Sequence, residues 1–314
     1  MGATQTNVVF VHGVGPPRRI DDELRQWTTA LADGARSAGH SAFADALLRG
    51  KVPTSFAHYG DLFLPAQAQG GDLKLDEDQA ELLAALLTEL IDEQLAVTDE
   101  PERQQVLEAA RSQLVPAGAE QGLLAPVRRA INAATTLLAF RPFIWAGQWL
   151  GGKLLVRDLA QVARYLARRE PDEWRRTLDV RIRQRVHYRL TKRSVLIAHS
   201  LGSVVGWETL HEHNGEVPLL VTLGSPLAMR SVVWPHLVPQ PPATPPVVEK
   251  WINLWDRDDI IVARAKLEAD MRPNGLGVIP ETSRIDSDGI WVHTATKYLR
   301  KAELAGPVAE AVRA

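Results

Sequence analysis

The chain of 314 residues contains no cysteine. That absence excludes a disulfide framework, a thiolate zinc site and a cysteine nucleophile in one step. An excess of one charge is also missing: 36 Lys and Arg oppose 38 Asp and Glu, a formal net charge of -2. With no basic field to attract nucleic acid or anionic lipid, nucleic acid is not an expected partner. Long hydrophobic runs are lacking too. The most apolar region, residues 131–156, is broken by Arg141, Pro142 and Lys153, so it falls short of the roughly 18 to 20 uninterrupted apolar residues a transmembrane segment needs. Its expected place is in the interior, or against something greasy. The opening MGATQTNVVFVHG has no charged start, long apolar core and cleavage site, so no signal peptide is expected and a cytoplasmic location is the default. Gly2 followed by Thr6 matches the myristoylation pattern, but without polybasic support and with a strand beginning beside it. No internal repeat is present.

A content of 45% hydrophobic and 24% charged residues suits a globular protein with a large core. Short apolar runs ending in turn residues recur at 7–15, 54–61, 194–202, 218–226 and 247–259. Continuous rather than alternating runs indicate strands covered on both faces, as in a parallel sheet between helical layers. Helical patterns such as DDELRQWTTALADGARSAG and RDLAQVARYLARR separate most of them. The fold class read from this alternation is α/β, with a mostly parallel sheet and helices on both faces.

One region breaks the alternation. From about Pro65 to Ala160 only helices are expected. Leu82, Leu83, Leu86, Leu87, Leu90, Ile91 and Leu95 form an amphipathic stripe, with Asp76, Glu77 and Asp78 in its first turn, where negative charge complements the helix dipole. A second helix is expected over PERQQVLEAARSQL, with Pro101 in its first turn and Pro116 after its end. The inference is a helical insertion of roughly 90 to 100 residues, far beyond an ordinary connection. Residues 1–65 and 161–314 then form the core domain, and 66–160 a cap or lid. PQPPATPP, at 239–246, reads as a short semi-rigid surface loop.

The stretch VLIAHSLGS, residues 195–203, breaks from strand-formers into a helical pattern at His199, Ser200 and Leu201. A serine at such a junction is either a nucleophile on a tight turn or a plain helix cap. As a nucleophile elbow it has small residues, Ala198 and Gly202, at the flanking positions, with Ala198 replacing the usual glycine. Three further features sit where that chemistry needs them. An early strand ends in His12 and Gly13, where a loop amide can complete an oxyanion hole; the donors are assigned to the N–H groups of Val14 and Leu201. WINLWDRDDIIV supplies Asp256, Asp258 and Asp259, of which Asp259 is favoured as the triad acid and Asp256 is the alternative. His293 is the one histidine after that acidic cluster. HEH at 211–213 is not read as a metal pair, because helical residues two apart point to different faces.

These motifs resemble the α/β-hydrolase superfamily, in particular its bacterial serine esterases and lipase-like members. The resemblance rests on His12 and Gly13, His199 to Gly202, Gly224 to Pro226, Trp251 with Asn253 and Asp259, and His293 with Tyr298. It covers residues 7–61 and about 157–300, leaving the insertion uncovered. It implies an α/β-hydrolase fold and a catalytic triad of Ser200, Asp259 and His293 acting on a small-molecule acyl substrate of hydrophobic character without metal or cofactor. His12, Gly13 and His199 are expected around the substrate. Phe140, Phe143, Trp145 and Trp149 either line an acyl pocket or only pack the cap against the core. Ester hydrolysis is the leading reading. Acyl transfer, thioester cleavage, or a catalytically silent binding module on the same fold stay open.

Overall fold

The structure, a computed structural model, describes residues 5–15, 19–64, 75–115, 125–139, 152–256, 259, 262, 266–286 and 293–313. Six parallel strands form one sheet in the order β2-β1-β3-β4-β5-β6. They are β1 (Asn7–Val11), β2 (Thr54–Ala57), β3 (Arg193–His199), β4 (Glu216–Leu223), β5 (Trp251–Asp256) and β6 (Pro280–Ile285). All five residues of β1 are buried, as is everything after the first residue of β3. Continuous apolar runs therefore do mark strands shielded on both sides.

Side-chain alternation divides the core into two layers. Val8, Phe10, Val195, Ile197, Leu219 and Val221 point to a layer shared with α1 (Ile20–Ser37), α2 (Ser41–Leu48), α9 (Ala295–Leu299) and α10 (Ala302–Arg313). Val9, Val11, Leu196, Ala198 and Leu220 point the other way. There they meet α7 (Leu178–His187), α8 (Leu201–His211) and the four helices inserted between β2 and α7.

Those four are α3 (Glu77–Val97), α4 (Pro101–Leu114), α5 (Ala125–Ala139) and α6 (Gly152–Leu166). Asp76 caps α3 in a reciprocal capping box with Gln79, and Pro101 occupies the first turn of α4, each removing or satisfying an otherwise orphaned amide. Leu83, Leu86, Leu87, Leu90 and Ile91 of the expected stripe are buried, with Leu82 and Leu95 at its margin. The apolar sides of these helices join the core under the sheet as one continuous cluster. The boundary read at residue 160 falls inside α6. No described helix is long and apolar enough to cross a membrane.

Candidate active site

A parallel sheet brings every strand's carboxyl end to one edge. Adjacent strands β1 and β3 send their connections in opposite directions along the sheet, β1 to β2 and β3 to β4. The crevice outside such a switch point is where open α/β sheets bind ligands. His12 and Gly13 leave β1 there, and Ser200 leaves β3.

Ser200 has φ 53° and ψ -130°, a backbone that disfavours any side chain and costs roughly 1–3 kcal/mol. Neighbouring groups hold it in place. Its N–H donates to Leu223 O at 2.9 Å, and its carbonyl accepts from the Ser203 N–H at 2.9 Å and the Ser203 hydroxyl at 2.6 Å. The Ser200 side chain stands at the N-cap of α8 but makes no capping hydrogen bond. The plain-cap reading of this serine is therefore not what the structure contains. A Cβ on Gly13 would lie 2.5 Å from Ser200 Cβ and 3.1 Å from its Oγ, so only a residue without a side chain lets the β1 loop pass the hydroxyl. Gly202 likewise presses α8 onto the His12 carbonyl, while Ala198 is fully buried beneath the turn.

Asp259, His293 and Tyr298 form a buried chain of polar contacts. His293 Nδ1 is 2.7 Å from Asp259 Oδ2, and the Tyr298 hydroxyl donates to the same oxygen at 2.9 Å. Burial first, then the neighbouring Asp259 charge, pushes the Tyr298 phenol well above its ordinary range, so it stays a donor. Asp256 is the last residue of β5, and its carbonyl accepts the Asp259 N–H at 3.1 Å. The alternative acid thus belongs to the turn that presents Asp259 to His293. Gly224, at φ +50°, faces this pair closely: a Cβ there would sit 2.8 Å from Asp259 Oδ2 and 3.1 Å from His293 Nδ1. His199 packs its ring 4.6 Å from that of His293.

Two cavities meet at Ser200 and His293, each of which lines both. One, of about 550 Å³ with part open to solvent, is polar: Glu23, Gln26 and Trp27 of α1 face His12, His199 and Thr294. The other is a narrower apolar slot, with walls from Leu86 and Leu90 of α3, Leu159 and Val162 of α6, and Pro226 and Met229. Val14 borders both. Leu201 is the first residue of α8, where a backbone N–H has no intrahelical acceptor.

Buried side chains fix the loop after β1. Tyr59 donates its N–H to His12 Nε2 at 3.2 Å and its hydroxyl to the His12 carbonyl, and the His12 ring stacks between Phe56 and Tyr59. Gln161 of α6 accepts the Gly15 N–H at 3.1 Å and donates to the Gly15 carbonyl at 3.2 Å. On α3, Glu89 accepts the N–H groups of Ser231 and Val232 at 2.9 and 3.0 Å. The insertion is therefore tied to the sheet's loops on both flanks of the apolar cavity.

The structure thus brings Ser200, Asp259, His293, Val14, Leu201, His12, Gly13 and His199 to one edge, with Asp256 one turn behind. Phe140, Phe143, Trp145 and Trp149 lie outside the described residues, as do Arg257 and Asp258. Sequence reasoning missed Glu23, Trp27, Tyr59, Glu89 and Gln161. For Glu23 and Trp27 a signal existed, a polar and an aromatic residue one turn apart at the start of the helix that follows the HGVG loop. For Gln161 and Glu89 there was none, since each contacts backbone distant in the chain. Among the described residues no group of three or more His, Asp or Glu side chains is placed to hold a metal ion, and His211 Nε2 lies 3.2 Å from the Ala243 carbonyl at the end of α8. No protein-family model, curated protein or solved structure matches the chain.

Proposed function

We propose that the protein is a serine hydrolase of the α/β-hydrolase type that cleaves a carboxylic ester through a Ser200–His293–Asp259 triad. One observation carries the reading. A serine in a strained strand-to-helix turn, its side chain not engaged in capping, shares two cavities with a histidine whose far nitrogen is held by a buried aspartate. Further support comes from the chain order Ser, Asp, His, which is that of the α/β-hydrolases and not of the two serine protease folds.

In this mechanism His293 Nε2 takes the Ser200 proton as Oγ attacks the ester carbonyl. Asp259, already bonded to Nδ1, fixes the tautomer and stabilises the imidazolium. Tyr298, donating to the same carboxylate oxygen, holds Asp259 in register with the ring. The negative oxygen of the tetrahedral intermediate is met by the Val14 and Leu201 amides, each donor worth roughly 2.7–4 kcal/mol. His293 then protonates the departing alcohol, and water attacks the acyl-serine by the same route in reverse. The apolar cavity suits the acyl chain. The polar cavity, with a carboxylate and an amide on its wall, suits a hydroxylated or cationic alcohol and disfavours an anionic one.

The test is labelling by a fluorophosphonate together with turnover of p-nitrophenyl esters, in wild type, Ser200→Ala and His293→Ala. Both signals are expected in wild type and absent from Ser200→Ala. Labelling or turnover that persists in Ser200→Ala rejects the assignment, and a folded wild type that shows neither favours the silent binding module.

A further inference from the structure

We propose that Ser203 and Ser225 are positioning residues that aim the Leu201 N–H into the oxyanion hole, through a one-way relay of hydroxyl groups that ends on the Ser200 carbonyl. The proposal rests on the ester-hydrolase reading and adds to it how that site is held in shape.

The direction of the relay follows from its protons. The Ser203 hydroxyl oxygen lies 2.6 Å from the Ser200 carbonyl oxygen and 2.6 Å from the Ser225 hydroxyl oxygen. A carbonyl can only accept, so the single Ser203 proton goes to Ser200. Ser225 then donates to Ser203, and its own oxygen accepts the Leu227 N–H at 3.2 Å. Ser203 and Ser225 are both buried, where hydrogen bonds are stronger than in water and each member of a chain polarises the next.

The Ser200 carbonyl matters because of what shares its peptide plane. The bond from Ser200 to Leu201 is trans, so the Ser200 C=O and the Leu201 N–H lie in one rigid plane and point in opposite directions. Whatever fixes the carbonyl fixes the aim of the amide. The Ser203 backbone N–H also donates to this carbonyl, at 2.9 Å. Two bonds from one residue thus resist rotation of the plane, against the strain stored in the Ser200 backbone at φ 53° and ψ -130°. The relay starts in the turn after β4, where Gly224 passes close to Asp259 and His293 and Pro226 walls the apolar slot. That one turn therefore meets both the acid–histidine pair and the turn of the nucleophile.

The test measures kcat and KM on p-nitrophenyl butyrate for Ser203→Ala, Ser225→Ala and the double variant. Beside it runs inhibition by an alkyl trifluoromethyl ketone: Ser200 Oγ bonds to the ketone carbon, the carbonyl π pair moves to oxygen and the serine proton to His293, leaving a negative oxygen in the same hole. Ser203→Ala, which removes one of two bonds to the carbonyl, is expected to lower kcat and weaken the ketone by roughly three- to tenfold each, with KM within about threefold. Ser225→Ala is expected to lower kcat roughly twofold or more alone, yet to change it by less than about 1.5-fold when added to Ser203→Ala, because it acts through Ser203. Thermal melts separate these effects from stability. Melting temperatures that fall while kcat and ketone inhibition stay within twofold of wild type overturn the proposal, as does a loss carried by KM alone. So do losses that multiply in the double variant. Any of these results, in an enzyme whose turnover and fluorophosphonate labelling vanish in Ser200→Ala, leaves the hydrolase reading intact. A wild type with neither turnover nor labelling overturns both.

Discussion

Replacing Gln161 with leucine should damage catalysis without touching a reacting atom. The Gln161 amide satisfies both backbone groups of Gly15, at 3.1 and 3.2 Å, in a buried setting. Leucine is similar in size and can do neither. Each polar group left buried without a partner costs about 1–3 kcal/mol, so the loop has every reason to shift until water reaches it. Val14, adjacent to Gly15, would move with it and away from the oxygen it is proposed to stabilise. Complete loss of one oxyanion donor is worth roughly 2.7–4 kcal/mol. A shift that forfeits about half of that would slow kcat by roughly ten- to thirtyfold. The assay is separate determination of kcat and KM on p-nitrophenyl butyrate beside a thermal melt, for Gln161→Leu and Gln161→Glu. The expected result is a fall of that size in kcat, KM within about threefold, and an intermediate loss for Gln161→Glu, which keeps the acceptor but not the donor. A melting temperature lowered while kcat stays within twofold would refute the reasoning and assign Gln161 to stability alone.

Tyr298→Phe removes the hydroxyl that donates to Asp259 at 2.9 Å; hydrogen bonds to charged groups contribute about 1.5–3 kcal/mol, so kcat should fall about tenfold with KM nearly constant, and an unchanged pH–kcat profile with unchanged kcat would contradict the role. Gly224→Ala places a methyl 2.8 Å from Asp259 Oδ2 on a backbone at φ +50°, and should slow fluorophosphonate labelling by two orders of magnitude or more; labelling at the wild-type rate would show that Asp259 and His293 can yield without consequence. Stability should fall on acidification through Asp179. Burial alone would raise the pKa of this carboxyl, but bonds from Thr177 and Arg183 and the Arg183 and Arg168 charges outweigh it and hold the group below its ordinary 3.8. A depressed folded pKa contributes stability that is present above the unfolded value and lost as pH falls through the folded one. Urea midpoints should therefore drop below about pH 4 more steeply in wild type than in Asp179→Asn, and parallel curves would count against this network.

How much of this could be read from residues alone depended on whether the physics was local. All five runs became strands, and the central ones, such as β1 and β3, are buried nearly throughout because a strand shielded on both sides needs apolar residues at every position; the run at 54–61 became the other edge strand, β2, whose first two residues are half-buried. β6 escaped notice for the converse reason. It is an edge strand of sequence PETSRI whose middle positions are exposed or half-exposed, so no apolar run marks it. Asp259 and Asp256 were separable only by the length of turn beyond β5, and the distance to His293 lies with Asp259. The tight Ser200 turn was legible from Ala198 and Gly202 beside it, but the close passage of Gly13 past its hydroxyl was not, because Gly13 belongs to another stretch of chain. Side chains that act across long sequence separations, such as Gln161 on Gly15, carry no local imprint.

The continuity of the apolar interior from Val9, Val11 and Leu196 into the inserted helices bears on how such a molecule can change over evolutionary time. A detachable lid can be lost, lengthened or exchanged while the remainder keeps its shape. Here, excision of residues 75–166 would leave only α7 and α8 on that side of the sheet and expose the apolar residues that the inserted helices cover. The helices that line the apolar slot beside Ser200 are thus inherited together with the scaffold, and change in what that slot admits has to proceed by single replacements along their inner faces.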